Sequence, residues 1–161
     1  METQTCREQL AKIMANETRL LSELALLLDR EHACLQADDP AALDKTASDR
    51  QKCVAGIYRC DEERRALCRS AGRVENLQGL EELMRWCDPK GILAAGWAQC
   101  SAAAANCRKL NDRNAALVNA RLKHVQGRLG VLIEGGRDAV TYGRRGNDAP
   151  PTAGRLVVTE A

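Results

Sequence analysis

The feature that most constrains this chain is a seam of mostly apolar residues between positions 92 and 135, spaced alternately four and three residues apart. The seam comprises Leu93, Trp97, Cys100, Ala104, Cys107, Asn111, Asn114, Val118, Leu122, Val125, Leu129 and Leu132. Only the step from Val118 to Leu122 departs from the alternation, by adding a second consecutive four. Residues three and four apart share one face of an α-helix, so the seam predicts a single helix roughly 65 Å long with one apolar face.

Three further helices are predicted upstream, at about residues 5–37, 40–70 and 76–87, before the long helix at about 92–135. Only Asp38-Asp39-Pro40 separates the first two, and it combines an acidic N-cap with a proline at the first helical position. Such a short turn makes the two helices antiparallel. The chain has no Phe and few other aromatic residues, which suits close helix packing better than a sheet sandwich. We therefore predict an all-α fold, an elongated antiparallel helical bundle or coiled-coil hairpin with one long C-terminal helix.

The glycine and proline content divides the chain into two predicted parts. Gly135-Gly136 ends the long helix, and five further helix breakers follow: Gly143, Gly146, Pro150, Pro151 and Gly154. We expect one helical bundle domain at residues 1–137 and a flexible C-terminal tail at residues 138–161.

The charges are distributed unevenly, although the formal net charge is only +2. Residues 1–39 hold eight acids and four bases (net −4), and residues 105–146 hold nine bases and three acids (net +6). Opposite signs on two long segments favour their packing side by side. The small total and the absence of basic runs interleaved with aromatic residues argue against nucleic acid as a partner.

The eight cysteines are spaced as core residues rather than as ligands or disulfide partners. Cys53 and Cys60 are seven apart, as are Cys100 and Cys107, which separates the members of each pair by roughly 10 Å along a helix. No metal-ligand cluster, nucleophile–base pair or phosphate-binding loop is present in the sequence. We expect thiols that pack as small apolar residues, no metal or other cofactor, and no enzymatic activity.

The sequence also bears on location. Its first residues lack the basic and apolar regions of a signal peptide, and the longest charge-free stretch, residues 91–107, is too short for a membrane span. We expect a cytoplasmic protein with no membrane insertion.

Two asparagines, Asn111 and Asn114, interrupt the apolar seam of the long helix. A buried amide needs a hydrogen-bond partner. The pair either fixes the register between helices of the bundle, a known use of seam asparagines, or faces a groove in which it hydrogen-bonds a partner's backbone.

The residues around this pair carry a resemblance to a known family. Asn111-x-x-Asn114-x-x-Leu117-Val118, followed by two amphipathic turns and then Tyr142-x-x-x-Gly146, resembles the FlgN family over roughly residues 105–146. Ala115 departs from the glycine that usually follows the second asparagine in that family. Alanine favours helix by about 1 kcal/mol over glycine, so the helix should be firmer here and less open to a second backbone.

The resemblance implies a cytosolic type III export chaperone. Such a protein binds the C-terminal segments of hook-associated proteins, which form the hook–filament junction, prevents their premature assembly, and brings them to the flagellar export gate. Helix-in-groove packing can cover an amphipathic segment in this way. The predicted partner-binding residues are Asn114, Leu117, Val118, Leu122, Val125, Leu129, Val140 and Tyr142, with Arg108, Arg113, Arg121 and Lys123 as possible steering charges.

Two alternatives belong to other classes. A structural coiled-coil scaffold would act by self-association, so a homodimer is a further possible partner. A thiol-based metal or redox protein would carry exposed cysteines of low pKa.

Overall fold

The computed structural model describes residues 2–138, with the surroundings of side chains described for residues 2–130. It contains four helices: α1 (Thr3–Ala37), α2 (Pro40–Ser70), α3 (Leu77–Cys87) and α4 (Ala94–Asp138). No strand occurs between residues 2 and 138, and the all-α prediction is confirmed. Each predicted helix end lies within three residues of the observed one, close to the scatter expected where helix ends fray.

The turn between α1 and α2 is set by two aspartates. Asp38 ends α1 in the left-handed conformation (φ 57°, ψ 42°), which Asp and Asn adopt more readily than most residues. Asp39 caps α2, because its Oδ1 accepts a 3.0 Å hydrogen bond from the Ala42 amide, and Pro40 occupies the first helical position. The chain therefore reverses within two residues, and α1 and α2 pack as the predicted hairpin.

Two side-chain caps fix the short helix α3 and the start of α4. Asn76 Oδ1 accepts from the Gly79 amide at 2.9 Å, which caps the first turn of α3. Asp88 Oδ2 accepts from the Leu93 amide at 2.6 Å, just before α4 begins. These bonds satisfy amides that a helix N-terminus leaves without an intrahelical partner.

The core is built mainly from leucine and cysteine. One cluster joins α1, α2 and α3, and a second joins α1 and α4. Seven of the eight cysteines are buried and Cys34 is half-buried, and no disulfide joins any of them. Cys53 Sγ from α2 donates to the carbonyl of Leu20 at 3.2 Å, and Cys107 Sγ from α4 donates to the carbonyl of Leu21 at 3.0 Å. The thiols thus serve as core residues, as the spacing predicted.

The chain divides by its contacts into two units, residues 1–121 and a second unit that begins at Leu122. The first unit contains α1, α2, α3 and the part of α4 that ends at Arg121. The predicted boundary at residue 137 stays a prediction.

Candidate partner-binding surface

In the first unit, the most deeply buried residues of the predicted seam recur at every seventh position. Leu93, Cys100, Cys107 and Asn114 are all at most 6% exposed. The seam positions between them are half-buried, like Trp97 and Ala104, or exposed, like Asn111. The next step of seven is Arg121, whose Nη1 lies 3.1 Å from Asp38 Oδ1. The positions of α4 that contact α1 therefore continue in steps of seven to Arg121, whereas the next apolar residue of the sequence pattern is Leu122.

Asn114 is held by a complete set of hydrogen bonds inside the bundle. Its Nδ2 donates to the carbonyl of Leu28 and to Glu31 Oε2, both at 2.8 Å. Its Oδ1 lies 3.1 Å from His32 Nδ1 and accepts from Arg113 Nε at 3.3 Å. An amide oxygen has no proton to give, so His32 carries its proton on Nδ1 in this contact. These contacts favour the register role of Asn114, and its contact with a partner stays a prediction.

Asn111 belongs to the same network from the exposed side. Its Oδ1 accepts from Arg50 Nη2 at 2.9 Å, and Arg50 Nη1 pairs with Glu31 Oε1 at 2.8 Å. Arg50 therefore joins α2 to a carboxylate of α1 and an amide of α4.

The predicted attraction between the acidic first segment and the basic last segment is confirmed by two ion pairs within the first unit. Arg113 pairs with Asp29 at 3.0 Å, and Arg121 pairs with Asp38 at 3.1 Å. Both arginines are among the predicted steering charges. Their guanidinium groups are instead engaged by α1, which leaves Arg108 and Lys123 as the exposed candidates.

The remaining described residues of the predicted site are more accessible. Leu117 is half-buried and Val118 is 39% exposed. In the second unit Leu122, Val125 and Leu129 are 54%, 53% and 53% exposed. Spacings of three and four place these three side chains on one face of α4. Val140 and Tyr142 lie outside the described residues.

A groove in the first unit brings Val118 together with residues that the sequence did not single out. Its volume is about 460 Å³, and its apolar lining is supplied by Leu35 of α1, Leu43 and Ala47 of α2, and Ala115 and Val118 of α4. The polar lining comes from Glu31, Asp44, Arg50, Asn111, Asn114 and Asn119. Leu43 and Ala47 belong to no motif that would indicate a groove from the sequence. Ala115 is exposed and lines the groove, where a glycine would leave more room.

Comparison with known proteins decides the family. The family model described as FlgN protein matches residues 1–150. The chain belongs to the FlgN family. FlgN proteins are flagellar export chaperones, and the match covers the α1–α2 hairpin as well as the motif at residues 105–146. No curated protein and no solved structure matches this FlgN-family chain.

The thiols of this FlgN-family chain have the opposite character to reactive cysteines. Burial raises the pKa of Cys6 to about 12, helped by the neighbouring thiols Cys87 and Cys68. Burial also raises the pKa of Cys53, Cys60, Cys68, Cys87, Cys100 and Cys107. Because the thiolate is the reactive form, these shifts disfavour thiol chemistry in the folded state.

No group of three or more His, Cys, Asp or Glu side chains in the described part of the chain is arranged to hold a metal ion. None of the described helices combines the length and the apolar character that a membrane crossing requires.

Proposed function

We propose that this FlgN-family chain binds the C-terminal helical segments of hook-associated proteins in the cytoplasm. It holds them unassembled and delivers them to the flagellar export gate, with no catalytic step. The family supports the general role of a flagellar export chaperone. The cargo, the gate and the location are our proposal.

The observation that carries the proposal is the apolar face of α4 formed by Leu122, Val125 and Leu129. Each of the three side chains is more than half exposed. Exposed apolar side chains grouped on one face of a helix mark a binding surface more often than scattered single ones do. An amphipathic cargo helix would cover them with its own apolar face, as helix-in-groove recognition requires.

Calorimetric titration tests cargo binding directly. Purified chain is titrated with the C-terminal segment of a hook-associated protein from the same organism. We expect saturable binding that Leu122→Ala weakens about tenfold or more, because a central anchor contributes more than about 1.4 kcal/mol. Tyr142→Ala tests the tail residue of the predicted site in the same way.

The matched control is Leu26→Ala on α1. Leu26 is 62% exposed, so the same atoms are removed from an exposed leucine that the proposal does not use. Its affinity should stay within about twofold of wild type. Absence of binding by the wild-type chain, with both partners soluble, would reject the cargo assignment.

A second measurement separates delivery from cargo binding. Purified cytoplasmic gate protein is immobilised and challenged with the free and the cargo-loaded chain. Capture of the loaded chain supports delivery. Failure of both forms to bind would remove that step while leaving cargo binding intact.

Self-association is the alternative that the same apolar face allows. Sedimentation velocity over a range of concentrations tests it. A monomer that forms a one-to-one complex with cargo supports the chaperone function. A dimer that does not bind cargo, and that the substitution Leu122→Ala dissociates, supports the scaffold.

A further inference from the structure

We propose that the groove lined by Leu35, Leu43, Ala47 and Val118 is an anchor subsite for cargo. It would take one large aliphatic side chain of an amphipathic helix that carries a lysine or arginine beside that anchor. The inference rests on the proposed function and adds a site on α1 and α2 that the sequence did not indicate.

The size and composition of the groove fit this occupant. Its volume of about 460 Å³ leaves room for an aliphatic side chain together with the adjoining surface of the helix that carries it. Leu35 is 8% exposed and forms part of the buried side, whereas Ala47 and Val118 are exposed. An aliphatic side chain placed there would lose its contact with water and meet apolar atoms from three helices.

The polar lining does not oppose an apolar occupant, because most of its groups are already paired within the protein. Glu31 binds Arg50 and Asn114, and Arg50 also binds Asn111. Displacing water from these groups leaves their internal hydrogen bonds in place. The desolvation penalty that an unpaired polar lining would impose is therefore largely absent.

The charge at the rim indicates what should flank the anchor. Asp44 is exposed and lines the groove, and it has no hydrogen bond or ion pair within the part of the chain that the structure describes. Asn119 is likewise exposed at the groove and has no hydrogen-bond partner there. A free carboxylate beside a free amide favours a basic side chain on the partner.

Val118 is one of the predicted partner-contact residues and also lines the groove. A cargo helix that reaches Val118 is therefore adjacent to the groove. A second copy of the chain is the competing occupant, and the experiment includes it as an outcome.

The main test fills the groove with Ala47→Leu and measures binding of the same cargo segment by calorimetry. We expect affinity to fall about tenfold or more. The matched control is Ala55→Leu, the same change at an exposed position of α2 that does not line the groove. It should stay within about twofold of wild type. Urea unfolding of both variants shows whether the fold is retained.

A charge reversal provides an independent test that does not alter packing. Asp44→Lys should weaken binding about threefold to tenfold at low salt, with the difference shrinking at high salt because screening weakens charge attraction. Asp112→Lys, at an exposed α4 position outside the groove, is the control.

The outcomes separate the two proposals. If wild type binds cargo and Leu122→Ala weakens it, but Ala47→Leu and Asp44→Lys do not, the groove proposal is wrong and the proposed function stands. No cargo binding by wild type rejects the proposed function. Loss of a homodimer in Ala47→Leu without loss of cargo binding assigns the groove to a second copy and overturns the inference.

Discussion

Asn114 Nδ2 and the carbonyl oxygen of Leu28 lie 2.8 Å apart and join α4 to α1 by a buried hydrogen bond. Asn114 is 3% exposed and stands at a position that Leu or Cys occupies in the preceding heptads. Apolar side chains tolerate several alignments of two helices, whereas an amide needs particular partners. This bond therefore specifies how α4 sits along α1.

Replacing this amide should destabilise the fold. Asn114→Ala would leave Glu31 without one of its donors, and we expect unfolding free energy to fall by about 1–3 kcal/mol. Urea denaturation followed by circular dichroism measures the change. Asn106→Ala, at an exposed position of α4, should stay within about 0.5 kcal/mol of wild type. Equal stability of the two variants would show that the buried amide contributes nothing to the fold.

Arg64 forms the most buried ion pair described in the chain. Its Nη1 lies 2.5 Å from Glu17 Oε2, with the two side chains 16% and 11% exposed, and its Nη2 binds Asp61 at 2.6 Å. Arg64→Ala would leave the Glu17 carboxylate buried without its partner, so we expect a loss of about 3–5 kcal/mol. Thermal and urea unfolding measure it.

The neighbouring Arg65 provides the control for this prediction. It also pairs with Asp61, at 2.8 Å, but its side chain is 51% exposed. Arg65→Ala should therefore cost at most about 1 kcal/mol. Similar losses in both variants would show that burial of the Arg64 pair has no energetic consequence.

Two glycines should respond to alanine in opposite directions. A Cβ at Gly79 in α3 would lie 1.8 Å from the carbonyl oxygen of Val74, whereas a Cβ at Gly96 in α4 would meet nothing within 4 Å. Gly79→Ala should cost about 1–3 kcal/mol because backbone must shift, and Gly96→Ala should stabilise by about 0.5–1 kcal/mol. The unfolding midpoints of the two variants measure these changes. A Gly79→Ala variant that is more stable than wild type would contradict the close contact between α3 and its preceding loop.

The buried thiols predict a loss of stability at alkaline pH. Below pH 9 they are protonated in both the folded and the unfolded chain. Above pH 9 the unfolded thiols ionise before the folded ones, so stability falls as the pH rises. A thiol that stays fully protonated in the folded chain while it is ionised in the unfolded chain contributes a slope of about 1.4 kcal/mol per pH unit. For Cys6 this window extends from pH 9 to about 12.

The variant Cys6→Ala isolates one thiol from the other groups that titrate in this range. The slope of unfolding free energy against pH, measured from pH 9 to 11, should be less steep than in wild type by about 1.4 kcal/mol per pH unit. Identical slopes would mean that the Cys6 thiol ionises in the folded chain.

Thiol labelling tests the redox alternative. Of the eight cysteines only Cys34 is not buried, so Ellman's reagent should label one thiol rapidly in the native chain and all eight in denaturant. Rapid labelling of several thiols in the native chain would favour the thiol-based class.

Much of the fold could be predicted because helix periodicity and caps are local signals. Asp39 and Pro40 mark the start of α2 in the sequence, and they do so in the structure. The depth of burial along α4 could not be predicted. The seam residues Cys107 and Val118 look equivalent in periodicity, but α1 covers the first and leaves the second 39% exposed. Whether an apolar residue of α4 is buried depends on where the neighbouring helices pack against it, and the sequence around that residue does not show this.

The site shows the same limit. The sequence motif drew attention to Asn114, which the structure places inside the bundle with all its amide bonds made. The groove residues Leu35 and Ala47 carry no motif, and only the packing of three helices brings them beside Val118. The sequence predicts a site on α4, whereas the groove residues of α1 and α2 become apparent only from the packing of the helices.

The thiols of Cys53 and Cys107 reach α1 from two different helices and end on adjacent carbonyls, those of Leu20 and Leu21. A bundle with repeating heptads can slide by one repeat and still match apolar residues to apolar residues. Leucines would permit that sliding, whereas a thiol that donates to one particular carbonyl loses its acceptor when the helix moves. The two thiol hydrogen bonds therefore select a single alignment of α1, α2 and α4 among the several that their repeating apolar patterns would allow.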